Sequence, residues 1–286
     1  MPRTVHLVAL VAAFSSAGAT IFIRQGVRGS TAFAGFWINL VVGTLGLWAA
    51  VIATGGVGRV SAAGLALFGL AGLVGTVGGR LLRFVSIEKV GASIAAALTN
   101  LNPLISSCLA IILLGERVKV SIVTGTVVIV LGTVLLSAGG RRVGLRPSHL
   151  VLPLLSAACF GVVAILRKVG LGQMGAVAGS AVNVSTALVA FTAFLLASGN
   201  RHAMRCRGRS LALFVAAGIA ENAAVFLNVV ALGLGTVSVV APLYGSAPIF
   251  VLLLSFLFLR GVEIPGARVI LGTLLIVVGV GLITAF

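Results

Sequence analysis

Runs of about 20 apolar residues, separated by short polar breaks, take up nearly the whole of this 286-residue chain. A helix needs about 20 such residues to cross the hydrocarbon core of a bilayer. The runs lie near residues 5–23, 33–53, 64–86, 91–114, 120–138, 149–166, 174–198, 211–232, 236–259 and 267–286. Arg, Gly, Ser and Pro occupy the breaks, where the chain is expected to turn. Only helices or closed barrels satisfy the backbone in lipid. The expected fold is therefore an all-α membrane protein of about ten transmembrane helices, counted below as spans one to ten.

The surface chemistry agrees. Charged residues make up 8% of the chain and hydrophobic residues 60%, with a mean hydropathy of +1.26. A soluble domain carries about 25% charged residues, so lipid is the expected partner of most of this surface. The net charge of +16 does not point to nucleic acid. Nucleic-acid binders gather Lys and Arg on one face of a soluble fold, whereas here the basic residues stand mostly in the gaps, as in loops facing an anionic leaflet. Cys108, Cys159 and Cys206 have no metal or redox spacing, and no cofactor is expected. A competing reading of the first run is a cleaved leader, with Arg3 as its basic start and Ala17-Gly18-Ala19 as a small-residue cleavage pattern. The internal repeat, which includes this run, argues against it.

The second half echoes the first. Glu116, Gly125 and Gly132 recur 147 positions later as Glu263, Gly272 and Gly279. Pro103 matches Pro248 at 145, Asn39 matches Asn183 at 144, and Arg24 matches Arg167 at 143. The repeats are expected over 5–138 and 149–286. Each holds five spans, an odd number, so the second inserts upside down relative to the first. Inverted repeats are a common transporter architecture, because two pseudo-equivalent halves can exchange conformations.

These residues resemble the drug/metabolite transporter superfamily, in particular its EamA-like ten-helix members. The resemblance rests on 92–132, with Pro103 in span four, Leu114-Gly115-Glu116 closing it and the Gly125/Gly132 helix after it, and on 237–282 in the second half. It departs from the pattern at Arg260-Gly261-Val262-Glu263, where the glutamate is displaced. The resemblance implies a central cavity lined by spans one, three, four, six, eight and nine, with spans five and ten outside. It is silent on substrate.

Ionisable groups within the apolar runs cost about 2.5–3.5 kcal/mol each on insertion scales and persist when paired, hydrated or functional. Glu221 lies well inside span eight, beside Asn222, with Asn228 on the same face. Its expected partner is Arg80 of span three. The pair reads either as a structural ion pair or as a site for charged substrate or a proton. Asn100 and Tyr244 are candidate substrate contacts, against interhelical hydrogen bonding as the alternative. Pro103 and Pro248 are expected to break spans four and nine. Glu116 and Glu263 precede spans five and ten, where a carboxylate favours a helix N-terminus. Asn39 and Asn183 read as packing residues, and Trp37 and Trp48 as interface anchors.

Orientation is in conflict. On the side of the N-terminus, side A, stand Arg3, Arg59, Arg117, Lys119, Arg167 and Lys168; twelve Lys and Arg stand on side B. The positive-inside rule then puts side B in the cytoplasm and both termini outside. The family resemblance implies both termini inside.

Function follows from these features. Gradient-driven transport of a small organic solute in the cell membrane, such as export of an amino acid or metabolite with a proton as coupling ion, is the leading expectation. The chain has no Walker loop for ATP, no HExxH and no Asp. An intramembrane enzyme would need clustered acid, base or metal groups, yet His6, His149 and His202 lie far apart at termini or loops. An accessory or structural membrane subunit is the other alternative. Oligomeric state is open, since ten spans can enclose a site in one chain.

Overall fold

The computed structural model describes residues 2–90, 98–137, 150–258 and 267–284. Seven helices among them are long and apolar enough to cross a membrane, and three shorter apolar helices, Asn102–Leu114, Val120–Leu135 and Ile270–Thr284, complete the ten spans. Span one is Pro2–Gly26, span two Ala32–Ala53, span five Val120–Ser137, span six Val151–Gly170, span seven Ala176–Ala197, span eight Gly208–Leu234 and span ten Ala267–Thr284. Span three runs from Ala62–Ala71 through a π-helical stretch, Gly72–Gly79, into Arg80–Val90. Chain chemistry sets several of these ends. Thr31 and Ser61 cap spans two and three by accepting from the amides of Ala34 and Gly64, and Gly115 ends span four with φ of 64°.

Spans four and nine are broken at matching places. In span four the break falls at Asn100–Leu101, and Asn102–Leu114 restarts with Pro103 in its first turn. In span nine it falls at Ser246, between Val237–Gly245 and Ala247–Phe258, with Pro248 in the restarting turn. The bonding is the same at both. Leu101 and Ser246 each donate to the residue three before, and each accepts from the residue three after. Such tight turns stand in for the bonds a proline removes.

Packing shows the inversion directly. Phe68 of span three, 0% exposed, fills the space over Gly170 and Gly179; Phe214 of span eight, also 0% exposed, fills it over Gly26 and Gly35. Phe68 and Phe214 are 146 positions apart, and each glycine is 144 from its counterpart. The same three-residue lock is thus built twice, once per repeat, each time across the repeat boundary. Spans five and ten cross antiparallel through the repeat glycines themselves. A Cβ at Gly125 would sit 2.7 Å from the Gly279 carbonyl oxygen, and one at Gly132 the same distance from that of Gly272. Each glycine therefore packs against the equivalent of its own neighbour, as two-fold pseudosymmetry requires. Small residues at helix crossings let backbones approach where lipid supplies no hydrophobic drive.

Candidate functional site

Where the repeats meet, polar side chains from spans one, two, three, six, seven, eight and nine gather in the interior. Glu221 lies 13 residues from either end of Gly208–Leu234, about 20 Å along the helix from each. Its Oε1 is 3.2 Å from Arg80 Nη2, and the two side chains are only 15% and 13% exposed. Arg80 follows the π-helical turn directly, a feature that re-aims side chains and recurs at functional sites.

Two asparagines carry the network outward. Arg80 Nη1 donates to Asn39 Oδ1 at 3.4 Å. Asn222 Nδ2 donates to the Asn39 carbonyl at 3.0 Å, to Asn39 Oδ1 at 3.2 Å and to the Gly218 carbonyl at 2.8 Å. On the other side, Asn183 Nδ2 donates to Thr76 Oγ1 at 3.0 Å, and Arg167 Nη2 donates to Asn183 Oδ1 at 3.2 Å. Asn39 and Asn183 are repeat equivalents, and Thr76 and Asn222 are 146 positions apart. Each asparagine of the second span of a repeat is thus hydrogen-bonded to the third span of the other repeat, Asn39 accepting from Asn222 and Asn183 donating to Thr76. The expectation that Asn39 and Asn183 are packing residues understates them: they tie the repeats together and bind the two arginines.

Tyr244 stands in the last turn before the break of span nine. Ser16 of span one, Glu221, Arg80 and Arg167 all lie within electrostatic reach of its hydroxyl. Arg80 and Arg167 are likewise within reach of each other. The breaks themselves touch, since a Cβ at Gly245 would lie 2.8 Å from the Pro103 ring.

The remaining expected residues fall apart from this centre or at its edge. Asn100 is half-buried at the break of span four. Asn228 is buried, and among the described residues no hydrogen bond joins it to the cluster. Glu263 lies outside the described residues. Glu116 sits at a helix N-terminus, but that of span nine rather than span five. Its Oε1 accepts from the Val237 amide at 2.8 Å, and its Oε2 accepts from the Ser238 amide at 3.1 Å and hydroxyl at 2.7 Å. Lys168 Nζ closes the other side of the same turn by donating to the carbonyls of Leu232 and Gly235 at 2.7 and 2.6 Å. Carboxylate on amides and ammonium on carbonyls match the helix dipoles at both ends of the junction. Trp37 and Trp48 donate to Thr192 and Ser185 of span seven, so both indoles bridge spans two and seven.

Sequence reasoning missed Arg167 in this cluster. It is placed there as a loop charge on side A; the structure puts it in the last turn of span six with Nε sealed from solvent. Helical side chains tilt toward the N-terminus of their helix, which for span six means inward. Removing it leaves five basic residues on side A against twelve on side B.

The cluster presents two guanidinium groups, one carboxylate, a phenol and three amides beside two broken helices. Its charges and hydrogen-bonding groups suit a charged or polar solute. An open groove of about 440 Å³ lined by Leu73, Ser185, Thr186, Val189 and Ala190 lies away from it, between spans three and seven.

The EamA-like transporter family matches the chain over residues 3–138 and 148–285. A solved crystal structure superposes with a TM-score of 0.79 over 98% of this chain and 96% of the other, at 18% identity, which is a likeness of fold alone. No curated protein matches the sequence.

Proposed function

The chain belongs to the EamA-like transporter family, and we propose that it carries small organic solutes across the cell membrane by gradient-driven alternating access. It is an integral, multi-pass membrane protein of a family that moves small solutes. The observation that supports the finer reading is the Arg80–Glu221 pair. It joins span three of one repeat to span eight of the other at 3.2 Å, in the middle of span eight. An ion pair there couples the repeats while both charges are satisfied. Protonation of Glu221 would release Arg80 and loosen the contact, so a proton could be exchanged for solute.

Arg80, Glu221, Asn222 and Tyr244 form the binding and coupling centre in this reading. Asn100 borders it at the break of span four, and Asn228 extends it along span eight toward side A. Pro103 and Pro248 hold the breaks that let the two halves of spans four and nine pivot. One repeat takes the arrangement the other has just left, and the site opens to the opposite side.

The test is transport by the purified protein in liposomes. An imposed pH gradient, with no ATP present, should drive solute uphill and carry protons with it. Uphill movement that is indifferent to the pH gradient would remove the proton from the mechanism.

A further inference from the structure

We infer that the central site receives an organic oxyanion, a carboxylate or a phosphate ester, and that Arg167 is the side chain that docks it. The inference rests on the transport reading and names the substrate class of the same site.

Charge balance carries the argument. The cluster holds Arg80, Arg167 and Glu221, so among the described residues one positive charge is left over. The chain has only three other glutamates. Glu116 is committed to the N-terminus of span nine. Glu88 is eight positions after Arg80 in the chain, and Glu263 lies outside the described residues. Arg80 already has its carboxylate at 3.2 Å. Arg167 has a neutral partner, the Asn183 amide oxygen at 3.2 Å, and its Nε is buried with no acceptor among the described residues. An uncompensated cation in a bilayer interior is costly, and a buried charge without its partner is strongly destabilising. A bound anion supplies the missing partner.

The geometry suits an oxyanion. A guanidinium offers five donors in a planar fork that fits carboxylate and phosphate in two-point fashion. Asn183 takes one Nη2 hydrogen, and the Nε–H, sealed from solvent in this arrangement, is left for a ligand admitted when the site opens. Tyr244 lies within electrostatic reach of Arg167. The repeat equivalent shows that this arrangement is particular to span six. Arg24 is exposed at the end of span one, because Asn39, which corresponds to Asn183, already accepts from Arg80 and Asn222. An amide oxygen has two lone pairs, so no place is left for Arg24. The pseudosymmetric cluster therefore has one cationic docking group, on one side.

The test uses the full chain, purified and reconstituted. Counterflow and ligand-induced thermal shift are measured with pyruvate, lactate, succinate and glycerol phosphate, and with lactamide, glycerol and ethanolamine as neutral and cationic counterparts. Expected are binding and exchange of oxyanions only, with the carboxylate and phosphate arms telling which head group is preferred. Arg167→Gln should lower oxyanion affinity at least about tenfold, the weight of one charge-assisted hydrogen bond, while Arg167→Lys keeps part of it. Carriage of a neutral or cationic member as fast as the oxyanions overturns the inference and leaves the transport reading standing. So does oxyanion affinity that is unchanged in folded Arg167→Gln. Oxyanion binding without any flux upholds the inference and overturns the transport reading. Neither binding nor flux with any member overturns both.

Discussion

Arg80 of the first repeat and Glu221 of the second meet at 3.2 Å, although 141 positions separate them in the chain. Neither side chain is more than 15% exposed, so each depends on the other for its charge. Glu221→Gln leaves Arg80 with neutral amide oxygens only, that of Asn39 among them, and no counter-charge. The expected result is a folded, monodisperse protein destabilised by about 3 kcal/mol, with proton-coupled transport abolished. Thermal unfolding in detergent and proton flux in liposomes check the two parts separately. Unchanged transport would take Glu221 out of the mechanism.

Spans five and ten cross on bare backbone, and this makes Gly125 and Gly132 sensitive to any side chain. Gly125→Leu and Gly132→Leu each press on a carbonyl oxygen that would lie 2.7 Å from Cβ. Each should destabilise by about 1–3 kcal/mol. Gly46→Leu, where nothing lies within 4 Å of a Cβ, should cost far less. Equal unfolding temperatures for the three variants would contradict the crossing.

Glu116 and Lys168 hold opposite sides of the turn between spans eight and nine. Glu116→Ala strips three hydrogen bonds from the start of span nine and should cost about 1–2 kcal/mol, as loss of a helix cap does. The junction opens on side A in the same variant. A cysteine introduced at Thr236 should therefore react faster with a membrane-impermeant reagent added from that side. Lys168→Met should act in the same direction, and an unaltered rate in both would show that the turn is not held by these two side chains.

Asn39 and Asn183 are equivalents that serve opposite repeats. Asn183→Ala loses bonds to Thr76 and Arg167, and Asn39→Ala loses those to Arg80 and Asn222. Intramembrane hydrogen bonds average about 0.6 kcal/mol, so each variant should fold. The two should bias the resting state toward opposite sides of the membrane. Accessibility of one reporter cysteine near the centre should rise from side A in one variant and from side B in the other. A shift toward the same side in both would contradict exchange between the repeats.

The sequence reveals what is periodic or out of place. Apolar runs of bilayer length mark the spans, and the repeated glycines, prolines and asparagines mark the two halves. Arg80 and Glu221 are legible because a charge inside such a run has few explanations. Arg167 is not, since a residue at the end of a run can point out to solvent or back along its helix, and the apolar pattern is the same either way. The destination of Glu116 is also hidden: its partners, Val237 and Ser238, lie 121 and 122 positions on, a distance only the folded chain closes. The Phe68 and Phe214 locks escape notice because two phenylalanines and four glycines are unremarkable among 15 and 38 of their kind. Their equivalence appears once the contacts are seen.

The claim that two opposed repeats carry solute past the Arg80–Glu221 centre is tested most directly by counterflow with the purified chain in liposomes preloaded with unlabelled solute. Saturable, transient accumulation of labelled solute above equilibrium is expected, without ATP, and it is lost in Glu221→Gln. Flux no greater than in protein-free liposomes for every solute tested, from protein shown to be folded and monodisperse, would contradict it.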